Sequence, residues 1–442
     1  MSAVNRRQLL GAAGLSLAAL PLVSGTAGAA VPSAGARTTG SAQLPTPQGG
    51  VITGAERLQR SGWETLQGQR VGVVTNPTGI LADLTHVVDA MVGSGQVNVV
   101  AVFGPEHGFR GTAQAGDSEG NHVDPRTGVM VYDAYGATAT KLATMYRAAN
   151  VETVVFDIQD VGARFYTYIW TMYEAMKAAV ATGARFVVLD RPNPVGGSAR
   201  GPMLQTPFIS GVGKKEIVQQ HGMTVGELAR FFDGEFLQAE VGARLTELTV
   251  LTMTGWRREQ RFVDTGQTWV MPSPNMPTPD TALLYPGTGL FEATNMSEGR
   301  GTTRPFELIG APYVDYRWAE ALSARQIPGV EFREAYFTPT FSKNATKVCG
   351  GVQVHITDPA KVEAITVATH MMVEAKRLYA GFAWRTGDTY AGRWSDLLTG
   401  SPRFGEMLMA GAPAAEIVGA WRGELTDWDK RRRQYLLYPA QS

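Results

Sequence analysis

A chain of 442 residues with 44% hydrophobic content has room for two domains with sizeable cores, and is neither a disordered tail nor a small stapled scaffold. Its 40 basic and 40 acidic side chains cancel to a formal charge of zero, which leaves no basic stripe for nucleic acid or an anionic membrane surface. A small, largely uncharged ligand fits such a balance better, and Cys349, the single cysteine, can form no internal disulfide.

Residues 1–30 read as a targeting segment to be set aside before any fold reasoning. Asn5-Arg6-Arg7-Gln8-Leu9-Leu10 is a twin-arginine start, followed by an apolar segment from Leu9 to Val23 and an Ala27-Gly28-Ala29 cleavage signal. Gly11, Gly14 and Pro21 break the apolar stretch, which disfavours a retained membrane anchor. The mature protein is expected outside the cytoplasm, secreted or cell-wall associated, with no membrane insertion after cleavage. Residues 31–49, rich in Ala, Gly, Thr and Pro, predict a flexible linker.

The folded part begins with a helix-like pattern from Val51 to Leu66. Arg70 to Thr75 predicts a strand ending in the Asn76-Pro77 and Thr78-Gly79 turn pairs, and Leu84, Val87, Val88 and Met91 recur at helical spacing. Further strands are predicted at Val97–Phe103, Gly128–Tyr132, Val151–Ile158 and Arg185–Leu189. Helices fall between them over Thr138–Ala149 and around Tyr173, Met176 and Val180. This alternation with short connections predicts an α/β fold with a mostly parallel, doubly wound sheet. Thr224 and Glu227 form a capping box that opens a helix through Phe232, and the prolines of Trp269 to Thr278 exclude regular structure there. From about Gly310 the pattern becomes α+β. A helix is predicted near Arg317–Ala324, a strand at Gly351–Ile356, and a helix opened by Asp358-Pro359 that runs to Leu378. The tryptophans at 384, 394, 421 and 428 read as packing.

Four polar clusters fall at the carboxyl ends of predicted strands: Asn76, Glu106 with His107, Asp157 with Asp160, and Asp190 with Asn193. That is the edge at which ligands bind in open α/β sheets. The densest is Phe103-Gly104-Pro105-Glu106-His107-Gly108-Phe109-Arg110-Gly111, where charged and imidazole groups sit between glycines. Standard phosphate-loop, dinucleotide, zinc-helix and Ser-x-x-Lys motifs are missing. Gly116-Asp117-Ser118-Glu119-Gly120 matches a nucleophile elbow in letters but lacks the flanking strand and helix. A carboxylate-rich crevice remains, and paired carboxylates are what glycoside hydrolysis uses. Phe103, Pro105 and Phe109 are expected to surround Glu106 with apolar groups that favour its protonated form.

Six blocks carry a resemblance: Phe103–Gly111, Asp157–Tyr168, Asp190–Pro194, His221–Ala229, Pro272–Thr278 and Thr294–Glu307. In order and extent they resemble the signature blocks of the NamZ-type exo-β-N-acetylmuramidases, glycoside hydrolase family 171. The resemblance implies a Rossmann-like catalytic domain over residues 50–305 and a smaller α+β domain over 306–442 that completes the cleft. It also implies release of N-acetylmuramic acid from the non-reducing end of peptidoglycan glycan fragments or muropeptides, with no cofactor and no metal. It puts Glu106 forward as the catalytic carboxylate, with Asp157, Asp160 and Glu298 in matching blocks as partners and His107 beside it. Asp117 and Ala293 depart from the pattern, where Glu and Gly are expected.

The lactyl carboxylate of muramic acid calls for a cation, for which Arg110, Arg164 and Arg300 are candidates, unless they orient the acids instead. Asn76, Asn193, Asn275 and Asn295 are candidates for sugar hydroxyls, with a turn role as the competing account for each. Tyr166 and Tyr168 are candidates for stacking, and His221 for facing the crevice. A metal-assisted cell-wall amidase or esterase using Glu106, His107 and Asp157 stands as an alternative, although His107, His122 and His221 are irregularly spaced for ligands. A non-catalytic glycan-binding protein is a third. Oligomeric state is not legible.

Overall fold

Short runs of β-branched and aromatic residues build the central sheet: β1 (Arg70–Thr75), β2 (Asn98–Gly104), β3 (His122–Val123), β4 (Met130–Asp133), β5 (Thr153–Asp157) and β6 (Arg185–Leu189). The computed structural model describes residues 50–114, 117–385 and 393–439, so the expected leader and linker lie outside the described residues. A hairpin of β7 (Arg200–Met203) and β8 (Val218–Gln220) follows, and β9 (Leu248–Leu251) then returns to the sheet. The sheet order is β3-β4-β2-β1-β5-β6-β9, with every neighbouring pair parallel except β3 with β4.

Both faces are covered, which is why the strands read as continuous apolar runs rather than alternating ones. Val71, Val73, Val102, Val155, Val187 and Leu189 meet α1 (Gly54–Arg60) and α2 (Val87–Ser94) on one side. Val74, Phe103, Val154, Phe156, Phe186 and Val188 meet α3 (Ala139–Ala148), α4 (Tyr168–Thr182) and α5 (Val225–Phe232) on the other. The expected doubly wound α/β sheet is therefore what forms. The capping box at Thr224 and Glu227 is present at the start of α5, which runs on through a π turn into α6 (Gln238–Val241).

α7 (Pro279–Thr288) opens the second half, running through Tyr285, Pro286 and Gly287. Beyond it, β10 (Leu308–Ala311), β11 (Val330–Phe337) and β12 (Cys349–Ile356) form an antiparallel sheet in the order β10-β12-β11. α8 (Arg317–Ser323) and α9 (Ala364–Leu378) pack on it, and Trp318, Met371 and Val352 are fully buried between them. The chain ends in α10 (Trp394–Thr399), α11 (Arg403–Ala410), α12 (Ala414–Gly419) and α13 (Arg422–Arg432). Trp421 and Trp428 are buried in different cores, and Trp384 and Trp394 pack against the one that holds Trp421.

The two halves share their packing, since Ala163 and Phe165 after β5 lie in one core with Leu284, Tyr285 and Phe306. The described residues accordingly form one compact unit. Two expected helices are shorter than the sequence suggests. The one from Val51 stops at Arg60 because Gly62 turns at φ +68, leaving a short 3₁₀ turn at Glu64–Leu66. Asp358-Pro359 opens only a 3₁₀ turn at Pro359–Lys361, and α9 starts afresh at Ala364. None of the helices among the described residues is long and apolar enough to cross a membrane.

Candidate active site

The loop after β2 turns sharply because two successive residues, His107 at φ +72 and Gly108 at φ +78, take left-handed backbone. A non-glycine residue held there costs of order 1 kcal/mol and needs its surroundings to fix it. The fixing group is Glu119, whose Oε1 accepts from the Phe109 amide at 2.8 Å. A side chain at Gly108 would collide with that carboxylate, its Cβ lying 2.6 Å from Glu119 Cδ. The consequence is that Glu106 and His107 line a cavity of about 510 Å³.

Segments after three parallel strands wall this cavity: Ala134–Ala137 after β4, Glu106 and His107 after β2, and, after β5, Phe165–Thr167 with Tyr168, Trp170 and Thr171 of the first turn of α4. Further lining comes from the connection within the β7–β8 hairpin (Gly211, Val212, Lys214), the irregular loop with Ser273 and Asn275, and Tyr285, Glu292 and Arg300 beyond it. Its volume suits one or two sugar rings rather than a long strand lying in a groove.

Glu106 makes little use of its charge inside the protein. Thr167 Oγ1 donates to its Oε2 at 3.3 Å, and no ion pair reaches it among the described residues. Thr167 is the N-cap of α4 but leaves the helix end without a side-chain cap, so the positive end of that 15-residue helix opens beside Glu106. The expected apolar surround is absent. Phe103 packs on Tyr132 and Tyr146 in the core, and Phe109 packs on His86 and Arg110. His107 donates through Nδ1 to the Ala113 carbonyl at 3.2 Å, since a carbonyl only accepts. Burial lowers its pKa, against the raising pull of Glu106.

Arg300 shares the cavity with Glu106. Its Nη2 donates to Glu292 at 2.8 Å, its Nε lies 3.3 Å from Glu298, and its guanidinium covers Phe306. Burial opposes its charge, but Glu292 and Glu298 more than offset that and raise its pKa. Glu298 is itself buried beneath Arg300, with Lys343 Nζ 2.9 Å from its other oxygen, so it orients the cation and does not line the cavity. Tyr166 lines the cavity edge-on to Tyr168 and Tyr285.

Two models of known families match, described as exo-β-N-acetylmuramidase NamZ, N-terminal, over residues 71–280, and exo-β-N-acetylmuramidase NamZ, C-terminal, over residues 283–438. The chain belongs to the NamZ family. It is 43% identical over 391 residues to the peptidoglycan β-N-acetylmuramidase NamZ of Bacillus subtilis, covering 88% of this chain and 91% of that protein. Two solved structures, both DUF1343 family proteins of Bacteroides fragilis, share the fold. One has a TM-score of 0.78 at 34% identity, covering 89% of this chain and 100% of that one; the other has 0.70 at 29%, covering 88% and 99%.

Within this NamZ chain, six of the residues singled out from sequence come together at the cavity: Glu106, His107, Tyr166, Tyr168, Asn275 and Arg300. The others are occupied elsewhere. Asp157 is fully buried and takes two hydrogen bonds from Arg191, at 2.5 and 2.9 Å. Asp160 accepts from the Gly162 amide and from His221 Nε2 at 3.1 Å. His221 Nδ1 accepts from the Met223 amide, which fixes the tautomer. Arg110 is held by Asp89 and Asp124. Arg164 is fully buried and donates to the carbonyls of Pro202, Ile217 and Leu398, and desolvation lowers its pKa to about 9. Neither arginine lines the cavity, so neither can read a lactyl carboxylate there.

Asn76 caps the Thr78 turn, Asn193 bridges Val195 and Met223, and Asn295 ties Gly381, Ala383 and Tyr313. Asn76 and Asn193 each accept from the amide two residues on, which is the turn role, whereas Asn295 ties distant segments together. Residues that sequence reasoning passed over at the cavity are Glu174, Lys214, Ser273, Tyr285 and Glu292. Glu174 sits mid-helix and Lys214 in a hairpin connection, where spacing carries no signal; Tyr285 and Glu292 lie in glycine-rich stretches that could have flagged them. Among the described residues, no group of three or more His, Cys, Asp and Glu side chains is placed to hold a metal ion.

Proposed function

We propose that this protein is an exo-acting glycoside hydrolase that releases N-acetylmuramic acid from the non-reducing end of peptidoglycan glycan fragments, with Glu106 as the proton donor. The observation that carries the residue assignment is the contrast among cavity carboxylates. Glu174 and Glu292 are each committed to cations, whereas Glu106 has only the Thr167 hydroxyl on one oxygen. Its other oxygen is left for the glycosidic oxygen of a bound sugar. Protonated Glu106 would give its proton to the leaving oxygen as the anomeric C–O bond breaks, water supplies the oxygen that finally replaces it at the anomeric carbon, and the carboxylate formed faces the positive end of α4. The identity and coverage shared with the Bacillus subtilis enzyme support the substrate class.

Turnover of a chromogenic β-N-acetylmuraminide by the purified mature protein tests this, with the matching N-acetylglucosaminide as control. Glu106→Gln should lower kcat by about 10²- to 10⁴-fold without a change in melting temperature. Release that survives the substitution would remove Glu106 from the role. Export through the twin-arginine leader is part of the same proposal, supported by Arg6 and Arg7 ahead of the apolar segment. Replacing both arginines by lysine should retain the protein inside the cell, and undiminished export would reject the route.

A further inference from the structure

Two cations line the cavity, Arg300 and Lys214, and they differ in how far their charge is already spent. Arg300 faces two carboxylates, Glu292 and Glu298, so a third carboxylate would meet a neutralised group. Lys214 has one, Glu174 Oε1 at 2.7 Å, and that oxygen also lies 3.0 Å from Lys177. Glu174 Oε2 is used as well, accepting from the Ala139 amide at the start of α3 at 2.8 Å. Three donors therefore share the one carboxylate. Lys177 and Lys215 in turn share Glu240, and Glu216 turns away to Thr206. The wall that carries Lys214 is also where the amino-terminal end of α3 opens, with Ala134 to Ala137 lining the cavity before it. Lys214 is about one-third exposed, its ammonium within reach of a ligand.

Spacing along α4 relates this wall to the acid. Thr167 touches Glu106 and Glu174 touches Lys214, seven residues later, or about 10 Å along the helix axis at ~1.5 Å per residue. A pyranose held with its glycosidic oxygen at Glu106 has room to extend toward Lys214. The lactyl ether leaves the ring at O3, two carbons from the anomeric centre, and ends in a carboxylate.

We propose that Lys214 is the specificity-determining residue that binds the lactyl carboxylate, exchanging part of its contact with Glu174 for the substrate. Glu174 tolerates the exchange because Lys177 and the Ala139 amide still hold it. This inference rests on the muramidase reading above and adds the residue that separates muramic acid from its unsubstituted parent sugar.

The test compares a chromogenic β-N-acetylmuraminide with the same compound whose lactyl carboxylate is converted to the carboxamide, in the parent, Lys214→Gln and Lys214→Arg. The parent should favour the acid over the amide in kcat/KM by about 30-fold, the range of one charge-assisted hydrogen bond. Lys214→Gln should lose that preference chiefly through KM, and Lys214→Arg should keep most of it. A merely structural lysine would lower both substrates alike and leave the ratio standing. A Lys214→Gln enzyme that still prefers the acid as the parent does overturns the assignment while the muramidase reading stands, and the same ratio measured in Arg300→Gln shows whether that cation reads the carboxylate. No release from either compound by the parent overturns the muramidase reading and this inference together.

Discussion

Replacing Asp157 by Asn separates structure from chemistry at one of the three carboxylates that the sequence offers as partners of Glu106. The carboxylate is fully buried and receives Arg191 Nε and Nη2, while Arg191 Nη2 also reaches the Ile80 carbonyl at 3.0 Å. Each charge-assisted bond is worth roughly 1.5–3 kcal/mol. Losing one partner leaves the other charge buried and uncompensated, which costs about 3–5 kcal/mol. Asp157→Asn and Arg191→Met should therefore each destabilise the protein by about 4 kcal/mol, read from urea unfolding at neutral pH. The double variant should lose much less than the sum of the two, because no stranded charge remains. Folded Asp157→Asn should keep its muraminide kcat within about threefold, since the group does not line the cavity. An unchanged urea midpoint with a kcat loss of about 10²-fold or more would show instead that Asp157 touches substrate and is not a structural anchor.

Gly287 and Asp190 offer two further checks. Gly287 lies inside α7, where alanine normally stabilises by about 1 kcal/mol, but a Cβ there would overlap the Ala364 carbonyl at the start of α9. Gly287→Ala should destabilise by about 1–3 kcal/mol in thermal unfolding, and a raised melting temperature would show that the two helices are not in contact. Burial pushes the Asp190 carboxyl from 3.8 up to about 7, despite donors from Tyr438, Gly226 and Thr224. A carboxyl raised on folding adds stability that is complete below pH ~4 and is lost as pH rises through about 7, by a total of about 4 kcal/mol. Asp190→Asn should flatten the stability profile between those limits; a profile parallel to the parent's would show that the group titrates normally.

Much of the fold was legible because burial on both sheet faces imposes long apolar runs that need no partner to be recognised. Arg185–Leu189 is the same strand in sequence and structure, and Thr224 with Glu227 caps its helix as read. Strands that owe their existence to pairing were not visible: β7 carries Gly201 and Pro202, and β9 is only half buried along its length. The four polar clusters do lie at the carboxyl edge of the parallel strands, yet only Glu106 with His107 faces the cavity. Asp157, Asp190 and Asn193 instead bind Arg191, the α5 cap and the Met223 carbonyl, tying neighbouring loops together. A strand end tells where a side chain leaves the sheet, and its partner decides whether it turns to ligand or to protein.

The alternation of strands and helices, the glycine-flanked block that carries Glu106, and the family were legible in the chain alone, because these rest on local periodicity and on blocks contiguous in sequence. Tertiary structure decided which charges are free. Arg110, Arg164 and Arg300 are the same residue type in similar surroundings of sequence. One is held by two aspartates, one by three carbonyls, and one reaches the cavity. Lys214 enters the site only because a hairpin connection brings it to Glu174 of α4, whose other oxygen accepts from the start of α3. Charge satisfaction depends on what lies within a few ångströms in space, and those neighbours come from segments tens to hundreds of residues apart along the chain.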